Sequence, residues 1–70
     1  MEESILKKFG KRVRELRTER NLTQQQLADI SGLHKNYIGM VERGERNPSL
    51  LNIEVLANSF KIALSDFLKF

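Results

Sequence analysis

Residues 22–44, LTQQQLADISGLHKNYIGMVERG, decide the fold. Thr23 with Gln26 three residues on is a capping box: hydroxyl and amide each satisfy a backbone N–H that a helix start leaves without a partner. Leu22 and Leu27 flank the cap as a hydrophobic staple. The helix that starts there carries Leu27, Ala28 and Ile30, and stops at Gly32, placed for a left-handed C-terminal cap. A second helix restarts at Lys35 and runs to Arg43, with Ile38 and Val41 inward and Gly44 as its stop. Only Ser31, Gly32, Leu33 and His34 separate the two. So short a turn with a glycine in it joins helices at a steep angle, the geometry of a helix-turn-helix.

Upstream, Glu3 to Arg20 predict a helix with Ile5, Leu6, Phe9, Val13 and Leu16 on one face, ended by Asn21. Gly10 inside it costs roughly 1 kcal/mol relative to Ala, so the close approach of a neighbouring helix is expected there. Downstream, a loop over Glu45 to Pro48 leads to a fourth helix capped by Ser49, with Leu51, Val55, Leu56 and Phe60 as its apolar stripe. Ser65 and Asp66 read as the cap and first turn of a short fifth helix ending in Phe67, Leu68 and Phe70. No segment alternates with period two. The fold class is all-α: residues 1–70 form a single domain, a bundle of five short helices.

The composition narrows the function. The chain has 70 residues, 40% hydrophobic and 30% charged, the balance of a folded domain. A chain this short buries only about 60% of its unfolded surface, so its core is thin and a second copy is a natural supplement. With no cysteine and one histidine it can build neither a disulfide nor a zinc cluster, and no metal or cofactor is expected. No apolar run approaches 18 residues and no signal-peptide pattern is present, so a cytoplasmic protein without membrane contact is expected. The net charge is +3, and residues 1–20 hold seven basic against four acidic side chains, which accounts for the whole excess. Such a stripe suits nucleic acid or an acidic membrane, or else is a solvated helix face. No Cys–His or Ser–His constellation and no glycine-rich phosphate loop is present, which argues against an enzyme.

The segments FGKRVRELR and NLTQQQLADISGLHKNYIGMVERGERNPSL, with the apolar fourth helix, resemble the Cro-like phage-repressor family of helix-turn-helix DNA-binding proteins. Thr23-Gln24, Leu27-Ala28, Gly32-Leu33, Ile38, Val41-Glu42, Arg43-Gly44 and Asn47-Pro48 stand at the family's hallmark positions. GLHKNYIGMVERGERN is similar in particular to the controller proteins of restriction–modification systems. The resemblance implies a lambda-repressor-like fold and a transcriptional regulator that binds near-palindromic double-stranded DNA as a homodimer. RNA polymerase is a further partner if the regulator activates. Small phage repressors and antitoxin-like regulators share the scaffold, and a protein-interaction module without DNA binding is the alternative of another class.

Within that frame the second helix of the motif enters the major groove and offers its outward residues to base edges. Those are Lys35, Asn36, Gly39 and Met40. Lys suits guanine O6 and N7, Asn suits adenine N6 and N7, and Met40 offers apolar contact to a thymine methyl. Gly39 would leave room for close backbone approach. Gln24 at a helix N-terminus, with Tyr37, Arg43, Arg46 and Asn47 around the exit loop, are the expected phosphate contacts. The rival role for Arg43 is an internal pair, with Glu42 the obvious partner. His34 stands where the family places Ser, Thr or Asp, which cap better; a hydrogen bond to backbone or phosphate is expected of it. Arg14 and Arg17 could add long-range attraction to DNA, but a solvated face is the expectation for most of the first helix. Ile62, Leu64, Phe67 and Phe70, crowded into the last residues, are the expected dimer contact.

Overall fold

Four helices of the computed structural model, which describes residues 3–70, each begin beside a side chain that closes the first turn. The first, α1 (Ile5–Glu19), follows Ser4, whose Oγ accepts from the Lys7 N–H at 3.2 Å. It therefore starts slightly later than Glu3. Asn21, with φ of 55°, turns the chain out of it. Before α2 (Gln24–Ser31) the capping box is complete: Thr23 Oγ1 accepts from the Gln26 N–H at 3.0 Å, and Gln26 Oε1 from the Thr23 N–H at 2.8 Å. Gly32 ends α2 at φ 76°, a left-handed conformation that costs glycine little. The next helix, α3 (Lys35–Glu42), stops one residue short of Arg43, which caps it. Ser49 opens α4 (Leu50–Phe60) through a 3.1 Å bond to the Asn52 N–H. A single turn, α5 (Leu64–Phe67), completes the bundle.

The helices close around one core. Phe9, Val13 and Leu16 of α1 meet Leu27, Ala28, Ile38 and Val41 of the motif, then Leu56, Ala57 and Phe60 of α4 and Phe67 of α5. Gly10 sits where α1 crosses the end of α3. A Cβ there would collide with the Val41 carbonyl and stand 2.5 Å from the Glu42 carbonyl oxygen. The close approach expected from the sequence is thus a main-chain contact.

Four expectations need correction. Ile5 is exposed, because α1 overhangs the core by its first turn. On α4 the buried stripe is Leu56, Ala57 and Phe60, with Ile53 packed against it, while Leu51 is 68% exposed. Ala63, not Ser65, precedes the fifth helix, and no side chain caps it. Phe67 is no surface residue: it is 0% exposed, its ring 5.2 Å from that of Phe9 and 5.8 Å from that of Phe60. Phe67 therefore offers no surface to a partner, while Ile62 packs against the core but stays partly exposed. The short α5 turns Phe67 inward because it follows α4 closely and packs across the end of the bundle.

Part of the basic surplus in residues 1–20 is internal wiring. Arg12 donates to the Asp66 and Phe67 carbonyls at 2.9 and 3.2 Å, and Arg20 to the Phe60 carbonyl at 3.3 Å. These are the carbonyl ends of α5 and α4, which lack partners within their helices and attract cations.

Candidate nucleic-acid interface

The crossing of α2 and α3 is held from below by a buried network. Arg17 grips Glu42 with two hydrogen bonds, Nε to Oε2 at 2.7 Å and Nη2 to Oε1 at 3.0 Å. Its third nitrogen, Nη1, reaches the Leu22 carbonyl at 2.8 Å. Gln24 Nε2 then donates to Glu42 Oε1 at 3.1 Å. One carboxylate thereby ties α1, α2 and α3 together. Hydrogen bonding to Glu42 raises the Arg17 pKa against the opposing effect of burial. Arg17 thus lies inside and not on the solvated face expected of it. Its phase carried the signal, since it stands four residues after Val13 on the apolar side of α1.

Above this network α3 presents one face. Positions 35, 36, 39, 40 and 43 fall along it by helical spacing. Lys35, Asn36 and Arg43 are exposed and Met40 is half-buried. His34 caps α3: its Nδ1 accepts the Asn36 N–H at 3.2 Å. The backbone bond expected of this histidine is therefore the cap itself, made with a ring nitrogen in place of a hydroxyl or carboxylate.

Gly39 differs from its expectation. It is buried, because side chains of the same molecule cover it. A Cβ there would lie 3.2 Å from Arg43 Nη1, and 3.6 and 3.7 Å from the Gln24 amide atoms. The room left by the missing side chain is occupied by Arg43 and Gln24, so Gly39 offers itself to a base edge only if they move. Its place at the middle of the face makes it the seat on which these two donors lie.

The expected phosphate contacts divide by their partners. Arg46 and Asn47 are exposed in the loop after α3, and the Arg46 guanidinium lies 5.4 Å from the centre of the Tyr37 ring. Tyr37 is half-buried, and its hydroxyl accepts from Asn52 Nδ2 at 3.1 Å, which joins α3 to α4. Gln24 is half-buried at the start of α2. Arg43 does form an internal pair, but with Glu45 and not Glu42: Nε to Oε2 at 2.9 Å and Nη2 to Oε1 at 3.2 Å. That contact raises the Arg43 pKa and holds the Glu45 carboxyl below its usual range. The sequence reading missed Glu45; its two-residue spacing from Arg43 across Gly44 was the available clue.

Two apolar surfaces lie away from α3. Leu50, Leu51 and Leu64, 72%, 68% and 37% exposed, line a shallow groove with Glu54. Phe70 belongs to another groove, with Ile5, Leu6, Pro48 and Leu68, and its ring packs 6.3 Å from Phe9. Among the described residues no three of His, Cys, Asp and Glu gather as metal ligands, and no helix is long and apolar enough to cross a membrane.

Known proteins share this arrangement. A family model described as helix-turn-helix matches residues 13–67. The control protein C.SmaI of Serratia marcescens is 47% identical over 60 residues, covering 86% of this chain and 71% of its own. The restriction-modification controller protein C.AhdI from Aeromonas hydrophila superposes with a TM-score of 0.87 at 51% identity, over 90% of this chain and 96% of that one. The controller protein C.Esp1396I, solved as a tetramer in complex with its natural 35 base-pair operator, superposes with a TM-score of 0.88 at 28% identity, over 97% and 90% of the two chains. The chain belongs to the helix-turn-helix family, and within it is similar to the controller proteins of restriction–modification systems.

Proposed function

We propose that this protein is a sequence-specific DNA-binding transcriptional regulator, the controller of a restriction–modification system, acting as a homodimer on a near-palindromic operator. The observation that carries the reading is the outward face of α3, where Lys35, Asn36, Met40 and Arg43 stand together on a helix fixed from behind by Arg17 and Glu42. Lys35 and Asn36 are the base-reading residues, with Met40 beside them for apolar contact. Gln24, Arg43, Arg46, Asn47 and Tyr37 ring that face as phosphate contacts. Glu42, next to Arg43 in sequence, is consumed by its buried pair with Arg17 and adds no repulsion at the surface.

Dimerisation is assigned to the groove of Leu50, Leu51 and Leu64, in place of the buried Phe67. These three apolar side chains are exposed together on α4 and α5. A two-fold contact uses the same patch on both chains and sets the two recognition helices about one helical turn of DNA, 34–36 Å, apart.

The test is footprinting with a salt titration on the DNA flanking its own gene. Two protected half-sites one turn apart are expected, with binding that weakens steeply as salt rises. Protection of one unrepeated half-site at saturation would sink the homodimer. A flat salt dependence would remove the DNA-binding reading, and a flanking region without a methyltransferase and an endonuclease would remove the controller role.

A further inference from the structure

The pair between Arg43 and Glu45 lies at the edge of the α3 face, and the proposed function does not use the acid. Both side chains are more than half exposed, 57% and 54%, yet the contact is bidentate. It occupies Nε and Nη2 of the guanidinium. Nη1 remains over Gly39 beside the Gln24 amide, and donates to no protein group among the described residues. On the reading that Arg43 contacts DNA, the geometry points to Glu45 as a specificity-determining residue that holds Arg43 back from loosely placed phosphates.

The physical argument concerns what can replace the carboxylate. An arginine neutralised by an internal partner displaces no counterion when a duplex drifts close, and counterion release supplies essentially all non-specific affinity. Among the groups of a duplex, only an acceptor that meets the guanidinium fork with good geometry replaces both hydrogen bonds, as a well-placed phosphate or a guanine edge does. That acceptor is in place when α3 is seated correctly, and absent when the protein lies on DNA at random. Nη1, already free and facing the same side as Gln24, provides the first contact from which the exchange proceeds. Glu45 does not end up stranded, since its side chain is more than half exposed and water takes the place of Arg43. Glu42 cannot take the role of Glu45, because Arg17 and Gln24 hold it.

The experiment compares Glu45→Gln, Arg43→Ala and the double variant on two probes: a random-sequence duplex, and the tightest duplex selected in vitro from a randomised pool. Glu45→Gln should tighten the random duplex by about two- to fivefold, the range an exposed ion pair can supply. It should steepen the salt slope there by about one and leave the selected duplex nearly unchanged. In the Arg43→Ala background most of this gain should vanish. An equal gain on both duplexes, or the same gain with and without Arg43, would mean that Glu45 acts as a simple negative charge and would overturn the proposal while leaving Arg43 as a DNA contact. If Arg43→Ala alone binds both duplexes as the unsubstituted protein does, the reading of Arg43 fails, and the role of Glu45 with it.

Discussion

Two Arg–Glu pairs of nearly identical chemistry flank α3, one beneath it and one beyond its end. Arg17 and Glu42 meet through two hydrogen bonds at 2.7 and 3.0 Å, with side chains only 11% and 3% exposed. Arg43 and Glu45 meet the same way at 2.9 and 3.2 Å, but 57% and 54% exposed. Bond geometry hardly separates them. What separates them is the alternative open to each group once the partner is gone. A buried guanidinium left alone keeps its desolvation cost and finds no water, whereas an exposed one is solvated at once. The first pair is therefore a fixture that holds three helices in register, and the second is free to exchange partners. A protein that must keep its reading helix rigid and its rim adaptable has use for both.

The largest effect that sharpens this contrast is expected at the buried pair. Glu42→Ala should lower the free energy of unfolding by about 3–5 kcal/mol, measured by urea denaturation. In a domain whose whole stability is about 5–15 kcal/mol, that leaves a marginal fold. Replacing both partners, Arg17→Met with Glu42→Leu, should recover much of the loss, because no unpaired charge remains. A single substitution costing less than about 1 kcal/mol would put the buried pair in the class of the exposed one and break the comparison.

A smaller effect, of opposite sign, is expected at the glycine between the two pairs. Gly39→Ala places a Cβ 3.2 Å from Arg43 Nη1, the far end of an exposed side chain that can give way. The helix should gain about 0.5–1 kcal/mol in thermal or urea unfolding. Affinity for DNA should fall at the same time, because Arg43 and Gln24 lose their seat. A variant that loses stability would show that Arg43 is held more firmly than its exposure implies.

The smallest effect belongs to the exposed pair itself. Arg43→Ala and Glu45→Ala should each leave stability nearly unchanged, and any change should fade as salt rises. Urea unfolding at low and high salt checks this. A larger, salt-independent loss would remove the basis for treating this pair as exchangeable.

How far each part could be read from the sequence follows from the distance over which its cause acts. The helix starts at Thr23 and Ser49 and the turn at Gly32 depend on neighbours within a few residues, and they stand where the sequence places them. The outward stand of Lys35 and Asn36 follows from the phase of Ile38 and Val41, which the core requires. The stripe of α4 was harder, because leucine and isoleucine occur all round it: Leu50 and Leu51 stay outside while Ile53 packs inward. Periodicity cannot choose among apolar positions on a helix that has too many of them.

By itself, the sequence determined the all-α class, the capped boundaries of the motif, the glycine contact of α1 and the family resemblance. Caps and turns are local hydrogen-bond problems, and helical phase is fixed once a helix begins. Only the tertiary structure decided that Phe67 closes the core, that Arg17 is buried against Glu42 twenty-five residues away, and that Arg43 turns to Glu45. Those outcomes depend on where helices cross and which surfaces lose their water, and chain spacing carries neither quantity.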